Sequence, residues 1–525
     1  MKFRFLSLIG VTALIFLFLG YNLYSLQITK SLYYTQRAQA QATRADPVRD
    51  KRGTIYFSGR IPAALDKDFS VIYAVPTQVG DVTEASERLR ATIGLDPTVT
   101  VPLLSKQGDQ YEELIDKASD AQVAAIIEAE IPSIYIKRVL GRQYPFGESA
   151  SQVIGFISQE DKKIAAHGKY GIEAQYQDVL SKGEDVELTI DPNIQSKAEE
   201  VLKHLIDQWH PEGGTVIVED PKTGAIVAMG NYPTFDPNDF SKSPLTSFTN
   251  PAIQGLYEPG STQKVLTMSA GIDAGAITPE TTYYDKGYFT ADGKTIKNWD
   301  LKAHGTMTMT NVIEQSVNTG SVFAQQKMGR ATFYDYLLKF GYKELTGIDL
   351  PGEIAGRLTP LEKYPRDINY GTAAYGQGIS TTPIRMISAI AAIANGGIMM
   401  PTHITKTGGI GIARQVMSAE TAAKVAAMMV SAVDKAKVAA IPHYHVAGKT
   451  GTAYIPDFKK GGYTDTVINT YVGFAPASDA KFIILIKIDN PKDAPLAGQT
   501  VVPAFHDLAE FLLNYYDVPP DTTTN

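Results

Sequence analysis

The chain has 525 residues, of which 44% are hydrophobic and 20% charged, and its formal net charge at pH 7 is −7. This length predicts two or three folded units, and the charge, with no basic run, excludes a nucleic-acid-binding class. Because the sequence has no cysteine, disulfides, thiol nucleophiles and thiolate metal sites are excluded. The histidines form no metal-binding motif, so we expect neither a metal nor another cofactor.

The N-terminal segment is predicted to be a membrane anchor. Residues 6–26 are uncharged and, at about 1.5 Å per residue, long enough to cross a hydrocarbon core of roughly 30 Å. Lys2 and Arg4 precede this segment, which predicts a cytoplasmic N-terminus and an extracytoplasmic remainder. The alternative is a signal peptide cleaved near residues 38–40, but that site lies well beyond the apolar stretch. We expect residues 1–27 to form a single-pass anchor in the cell (inner) membrane.

Residues 28–184 show a mixed pattern. A polar helix is expected to continue from the anchor, with strands at 54–57 and 71–75 and helices at 83–93 and 121–129. No cluster of reactive side chains appears in this part. We expect a juxtamembrane helix and a pedestal (dimerisation-like) domain that serves as a spacer or docking module.

Residues 185–517 are predicted to form one α/β (α+β) domain. A strand pair at 214–219 and 225–230 is followed by many helices and then by further strands, so both ends of the segment are expected to share one sheet. Helices are predicted at 193–208, 261–273, 308–315, 331–340, 383–394 and 419–433, and strands at 443–447, 469–474 and 482–488. Residues 518–525 are expected to be a disordered tail.

Ser261 and Lys264 are candidates for a nucleophile and its base. If a helix begins at Ser261, the two residues share one face and the ammonium lies beside the hydroxyl. Lysine acts as a base only when burial or a second cation lowers its pKa, so the pair predicts a closed pocket that contains another positive group. The same spacing at Ser478 and Lys481 lies in a polar turn and is expected to be structural.

Candidates for the remaining groups lie downstream. Ser316 and Asn318 offer a hydroxyl and an amide two residues apart, although this pattern alone is more often a helix cap. Lys-Thr-Gly occurs three times, and the copies at 222–224 and 406–408 have turn-like surroundings. The copy at 449–451 follows residues of strand composition, and a glycine in a strand marks close approach of another backbone. We expect that backbone to be a substrate lying along the edge, with Thr452 offering an N–H to an oxyanion.

The order Ser261-x-x-Lys264, Ser316-x-Asn318, Lys449-Thr450-Gly451 matches the three-motif set of penicillin-binding proteins and serine β-lactamases. Over nearly its full length the chain resembles the class B penicillin-binding proteins, which are membrane-anchored peptidoglycan D,D-transpeptidases. Supporting stretches are RGTI at 52–55, RQYP at 142–145, VIGF at 153–156, GKYGIE at 168–173, LTID at 188–191, GQGIS at 376–380 and ANGG at 394–397. Residues 56–60 depart from the acidic-basic-Asn-Gly turn usual in the family.

The resemblance implies a role for each motif residue. Ser261 would be the acylated nucleophile and Lys264 its base, while Ser316 would relay the proton. Asn318 would hold both Lys264 and the substrate peptide amide. Lys449 would be the second cation, which lowers the pKa of Lys264.

The resemblance also implies the substrate and partners. Thr450, Gly451 and Thr452 would bind the D-alanine end of a stem pentapeptide, and the backbone N–H groups of Ser261 and Thr452 would form the oxyanion hole. An amine of a neighbouring stem peptide would resolve the acyl-enzyme, and β-lactams would acylate the same serine. Expected partners are peptidoglycan strands and their lipid-linked precursors, a polytopic membrane glycosyltransferase and divisome-type proteins.

Other functions remain open. A D,D-carboxypeptidase would transfer the acyl group to water, and a membrane-anchored β-lactam sensor or scaffold would use the same fold without turnover. The anchor and the module before residue 185 argue against a β-lactamase, and that module is too short for a glycosyltransferase domain. Residues 471–476 and 488–491 resemble the division-type enzyme more than the elongation type.

Overall fold

The computed structural model describes residues 2–29, 51–158, 166–409, 411–457, 460–493 and 496–522. The chain divides into two compact units. The first holds the described part of Met1–Lys51 together with Asp66–Arg142, and the second holds Arg52–Leu65 and the described residues beyond 142.

The N-terminal residues form a helix, Lys2–Tyr24, which continues as a π-helical turn, Ser25–Thr29. Among the residues that the structure describes, no helix combines the length and the apolar character of a membrane span. The predicted juxtamembrane helix beyond residue 29 lies outside the described residues.

The first unit packs helices on paired strands. The strand Ile61–Ala74, whose residues from Asp66 onward belong to this unit, pairs antiparallel with Glu112–Ala118, with Ala74 opposite Glu112, and also pairs with Ile134–Gln143. The helices are Val82–Ile93, Pro97–Leu104 and Asp120–Ala129. A core that includes Ile72, Leu89 and Ile126 holds them together. The strand predicted at 71–75 and the helices predicted at 83–93 and 121–129 are confirmed.

The second unit is built on a five-stranded antiparallel sheet. The strands of the sheet are β8 (Gly213–Glu219), β9 (Ile226–Tyr232), β16 (Ala447–Pro456), β17 (Tyr463–Ala475) and β18 (Phe482–Asp489), in the order β16-β17-β18-β8-β9. Strands are numbered in chain order over the described residues: seven precede β8, and the six short strands described below lie between β9 and β16. β8 pairs with β18, with Ile217 opposite Leu485. The sheet is therefore closed by both ends of the segment, as predicted.

Alternate residues of the strands enter two cores, because successive side chains of a strand point to opposite faces. Ile483 and Leu485 join the larger core with the helices Gln263–Asp273, Pro383–Ala394 and Ala419–Ala436. Ile484 and Ile486 join a second core with Pro192–Trp209 and Val501–Tyr515. The sheet is thus covered by helices on both faces.

Shorter elements complete the second unit. Before β8, strands lie at Ile55–Phe57, Ile157–Ser158, His167–Gly168 and Val186–Glu187. Two short strand pairs, Thr282–Asp285 with Gly305–Thr308 and Tyr288–Ala291 with Lys294–Lys297, were not predicted, and Ile398–Met399 pairs with Arg414–Gln415. Among the described residues, the remaining α-helices are Ser151–Ile154, Gly171–Gln175, Gln177–Leu180, Pro251–Gln254, Met309–Glu314, Asn318–Met328, Arg330–Lys339, Thr359–Lys363 and Asp367–Ala373.

Two predicted boundaries were wrong. The helix predicted from Ser261 begins at Gln263, after a 3-10 turn at Gly260–Thr262. The strand predicted at 443–447 begins only at Ala447, because an isolated bridge between Ile441 and Tyr444 turns the chain before it. Within the predicted tail, Val518 is buried and Asp521 accepts a hydrogen bond from the His445 N–H at 2.8 Å, while residues 523–525 lie outside the described residues.

Candidate active site

Ser261 lies in the 3-10 turn that precedes the helix Gln263–Asp273. The turn depends on Gly260, whose φ is +54°, a conformation that favours glycine, and whose N–H donates to the Gly376 carbonyl at 3.1 Å. A methyl group added at Gly451 would approach the Pro259 carbonyl to 3.0 Å. The backbone that comes close to Gly451 is therefore the serine turn itself, where the sequence suggested a substrate.

Lys264 is fully buried, and its amine points to the loop that contains Ser316. The Nζ atom donates to Asn318 Oδ1 at 2.8 Å, to Ser316 Oγ at 3.2 Å and to the Ser316 carbonyl. Among the described residues, none of these hydrogen bonds reaches Ser261. Burial, and secondarily the charge of Lys449, hold the pKa of Lys264 well below its usual range. The lowered pKa favours the neutral form of this amine, which is the form that can accept a proton.

Ser316 lies in the short connection between the helices Met309–Glu314 and Asn318–Met328. Its φ is +55°, a left-handed conformation that is uncommon outside glycine, asparagine and aspartate. Directly after Ser316 the chain turns back towards the preceding helix, where the Val317 N–H donates a hydrogen bond to the Val312 carbonyl at 3.0 Å. This sharp connection turns the Ser316 hydroxyl and the Asn318 amide to the same amine.

Lys449 lies on β16, at the edge of the sheet, with only 4% of its surface exposed. Its Nζ donates to Ser316 Oγ at 3.0 Å and to the Thr450 carbonyl and Oγ1 at 3.1 and 3.3 Å. Burial lowers the pKa of Lys449 to about 7. The hydroxyl of Ser316 thus lies between two amines, which suits it to pass a proton.

Thr450 and Thr452 are partly exposed on the same strand. Thr452 Oγ1 donates to Asn469 Oδ1 at 3.3 Å and accepts from the Ala497 N–H at 3.3 Å. The structure therefore brings the downstream motif residues to one place beside the serine turn, which β16 approaches at Gly451.

The other copies of the motifs lie elsewhere on the surface. Lys222 is paired with Asp479, and Lys406 is paired with Glu187 at 2.6 Å. Lys481 is also paired with Asp479, at 2.7 Å. In each case a carboxylate neutralises the lysine, so none of these copies provides a buried, uncompensated amine.

Sequence reasoning did not single out Glu258, which lies three residues before Ser261. Its carboxylate accepts from the Gly378 N–H and the Tyr463 hydroxyl, both at 3.0 Å. Burial raises the pKa of Glu258 to about 7. The only local signal is an acidic residue next to the Pro-Gly-Ser turn. Within the part of the chain that the structure describes, no group of three or more acidic or histidine side chains could hold a metal ion.

Comparison with known proteins identifies the family. Residues 214–510 match the penicillin binding protein transpeptidase domain, and residues 47–203 match the penicillin-binding protein dimerisation domain. The chain is 30% identical to stage V sporulation protein D of Bacillus subtilis (strain 168), over 95% of this chain and 83% of that protein. It is 28% identical to the peptidoglycan D,D-transpeptidase MrdA of Escherichia coli (strain K12), over 73% of this chain and 70% of that protein.

A solved structure has the same fold. Penicillin Binding Protein 2X from Streptococcus thermophilus matches with a TM-score of 0.73 and 22% identity, covering 89% of this chain and 80% of that one. The chain belongs to the penicillin-binding protein transpeptidase family, and the resemblance to its class B members is confirmed. The predicted transpeptidase fold with a dimerisation-like domain is confirmed as well.

Proposed function

We propose that this chain is a serine D,D-transpeptidase that cross-links peptidoglycan stem peptides through an acyl-enzyme on Ser261. The observation that carries the proposal is the pair of buried lysines, Lys264 and Lys449, which share one hydroxyl beside the serine turn. A buried amine of lowered pKa is what a serine needs as a base. The name of the relative from Escherichia coli, a peptidoglycan D,D-transpeptidase, supports the same reaction.

In the first step Ser261 Oγ attacks the penultimate D-alanine carbonyl of a stem pentapeptide. The neutral amine of Lys264 takes the hydroxyl proton as the C–O bond forms. The C–N bond then breaks, and the proton passes through Ser316 to the amine of the departing D-alanine. The backbone N–H groups of Ser261 and Thr452 stabilise the oxyanion of the tetrahedral intermediate.

In the second step an amine of another stem peptide attacks the ester carbonyl. Lys264, neutral again, accepts a proton from that amine, and the new amide bond replaces the ester. The bond between the carbonyl carbon and Ser261 Oγ breaks, and the serine regains a proton from Lys264. A β-lactam acylates the same serine by opening its ring.

Substrate recognition is assigned to β16, the edge strand of the sheet. Thr450 and Thr452 bind the terminal carboxylate of the donor peptide, and Gly451 lets β16 lie close to the turn that carries Ser261. Asn318 holds the substrate amide as well as Lys264. The partial exposure of Thr450 and Thr452 on a strand with one free edge supports this assignment.

We further propose that the enzyme works at the outer face of the cell (inner) membrane. Residues 6–26 serve as the anchor of segment 1–27, residues 28–184 as the pedestal and residues 185–517 as the transpeptidase domain. The uncharged sequence of 6–26 and the two preceding cations support this orientation. The resemblance of residues 471–476 and 488–491 favours a division-type enzyme with a membrane glycosyltransferase and divisome-type proteins as partners.

The proposal is tested by the fate of a stem-pentapeptide substrate. The full-length chain is incubated with the peptide and an added D-amino acid, with Ser261→Ala as the control. We expect release of D-alanine and incorporation of the D-amino acid by the unchanged chain only. Hydrolysis without incorporation would identify a D,D-carboxypeptidase, and neither reaction, together with stable binding of penicillin, would identify a sensor.

A further inference from the structure

A buried carboxylate organises the segment 282–308, which precedes the Ser316 loop. Asp285 is 1% exposed. Its Oδ1 accepts from the Gly287 N–H at 2.8 Å and the Thr319 hydroxyl at 2.7 Å. Its Oδ2 accepts from Asn298 Nδ2 at 2.8 Å and the His304 N–H at 3.0 Å. We call Asp285, Asn298 and Thr319 the Asp285 network, in which the carboxylate accepts four hydrogen bonds.

The Asp285 network and the neighbouring Lys297 contact the residues that follow Ser316. The Thr319 N–H donates to Asn298 Oδ1 at 3.2 Å, which fixes the start of the helix Asn318–Met328. The Lys297 carbonyl accepts a hydrogen bond from Asn318 Nδ2 at 2.9 Å. Because the amide nitrogen is occupied there, the amide oxygen is turned to Lys264.

Trp299 contacts the residue that precedes Ser316. Its indole Nε1–H donates to the Gln315 carbonyl at 3.0 Å, in the residue directly before the left-handed Ser316. Yet 59% of the Trp299 surface is exposed, so this ring contributes little to the core. A residue in a sparsely populated backbone conformation persists only when its surroundings fix it. Here the hydrogen bonds on either side of Ser316 supply that constraint.

We infer that Trp299 and the Asp285 network are positioning residues that hold Ser316 in its left-handed conformation. They keep the Ser316 hydroxyl between the amines of Lys264 and Lys449, and thereby set the proton relay. Neither acts on substrate in this role. The inference rests on the acyl-transfer function proposed above.

The first test replaces Trp299 by phenylalanine, which keeps an aromatic ring and removes the N–H. The second-order rate of acylation by a fluorescent penicillin is measured on the full chain between about pH 6 and about pH 9. We expect the rate to fall roughly fivefold to tenfold, as for one lost hydrogen bond, and the pH midpoint to move. The melting temperature should stay within about 2 °C, because the ring is exposed. Tyr288→Phe, on the same exposed segment, is the control and should match the unchanged chain.

A second pair of variants tests the Asp285 network. Thr319→Val removes the hydroxyl that donates to Asp285, and Thr319→Ser retains it. We expect slow acylation with a displaced pH midpoint in the first variant and restoration of both in the second. If Thr319→Val loses rate only in parallel with melting temperature, at an unchanged pH midpoint, the network is merely structural and the inference is overturned.

The results separate this inference from the proposed function. If the unchanged chain is not acylated at Ser261, the proposed function fails. If the unchanged chain is acylated and Trp299→Phe keeps both its rate and its pH midpoint, only the positioning role is overturned.

Discussion

Lys264 and Lys449 donate hydrogen bonds to the same atom, Ser316 Oγ, at 3.2 and 3.0 Å. Both lysines are buried and the pKa of each is lowered. Burial and, after it, the charge of Lys449 are the two causes that lower the pKa of Lys264. The lysines are therefore expected to titrate as a coupled pair.

Replacing Lys449 by alanine should slow acylation and shift its pH dependence upward. Without the neighbouring cation, the pKa of Lys264 rises, so the base becomes neutral only at higher pH. The measurement is the rate of penicillin acylation as a function of pH. Lys406→Ala, in a surface copy of the motif, is the control. An unchanged pH midpoint in Lys449→Ala would show that the two amines are not coupled.

Replacing Asn318 by aspartate should reduce the rate of acylation more at lower pH than at higher pH. The new carboxylate would lie where Asn318 Oδ1 accepts from Lys264, 2.8 Å away, and an opposite charge raises the pKa of an amine. At pH values below the pKa, a rise of one unit lowers the neutral fraction about tenfold, and higher pH should restore the rate. Asn318→Ala lacks the charge and serves as the comparison. Equal pH profiles of the two variants would refute the electrostatic explanation.

Glu258 predicts a pH dependence of stability. Burial raises the pKa of this acid from 4.5 to about 7, so the folded chain binds more protons than the unfolded chain between these values. Stability therefore falls as pH rises through this window and is level above it. Glu258→Gln should melt at a higher temperature than the unchanged chain at about pH 8 and not at about pH 4. An equal difference at both pH values would show that the carboxyl is not the source.

Replacing Gly451 by alanine should separate β16 from the serine turn. The added methyl group would meet the Pro259 carbonyl and Thr262 Cγ2, each at 3.0 Å, so one of the two elements must shift. The required shift is a few tenths of an ångström; because a misplacement of about 1 Å in an active site can cost about 100-fold in rate, we expect a smaller loss of acylation rate here. Gly80→Ala is the control, because nothing lies within 4 Å of its added methyl group. Acylation at the unchanged rate would mean that the contact relaxes without cost.

Local patterns in the sequence predicted much of the fold but not every boundary. The helix predicted at 419–433 is present as Ala419–Ala436, where Ser418 caps its first turn. The strand that contains Lys449 was placed too early, because residues 443–447 have strand composition while the chain turns at residues 442–443 and joins the strand only at Ala447. Strand propensity is a property of the individual residues. The turn depends instead on a bridge between Ile441 and Tyr444, which propensity does not record.

The site shows the same division. The motif residues could be predicted because the residues within each motif lie only a few positions apart in the sequence. The structure brings the three motifs to one place. Glu258 and the Asp285 network could not, since their partners are distant in sequence. Glu258 meets Tyr463, 205 positions away, and Asp285 meets Thr319, 34 positions away. No periodicity or short motif records such contacts.

The central claim is that Ser261 is the acylated nucleophile. The most direct measurement is labelling of the full-length chain with a fluorescent penicillin, followed by peptide mapping of the adduct. Ser478→Ala is the matched control, because Ser478 has the same spacing to a lysine but is exposed in a turn. We predict one adduct on Ser261, its loss in Ser261→Ala and full labelling of Ser478→Ala. Labelling that survives in Ser261→Ala would contradict the claim.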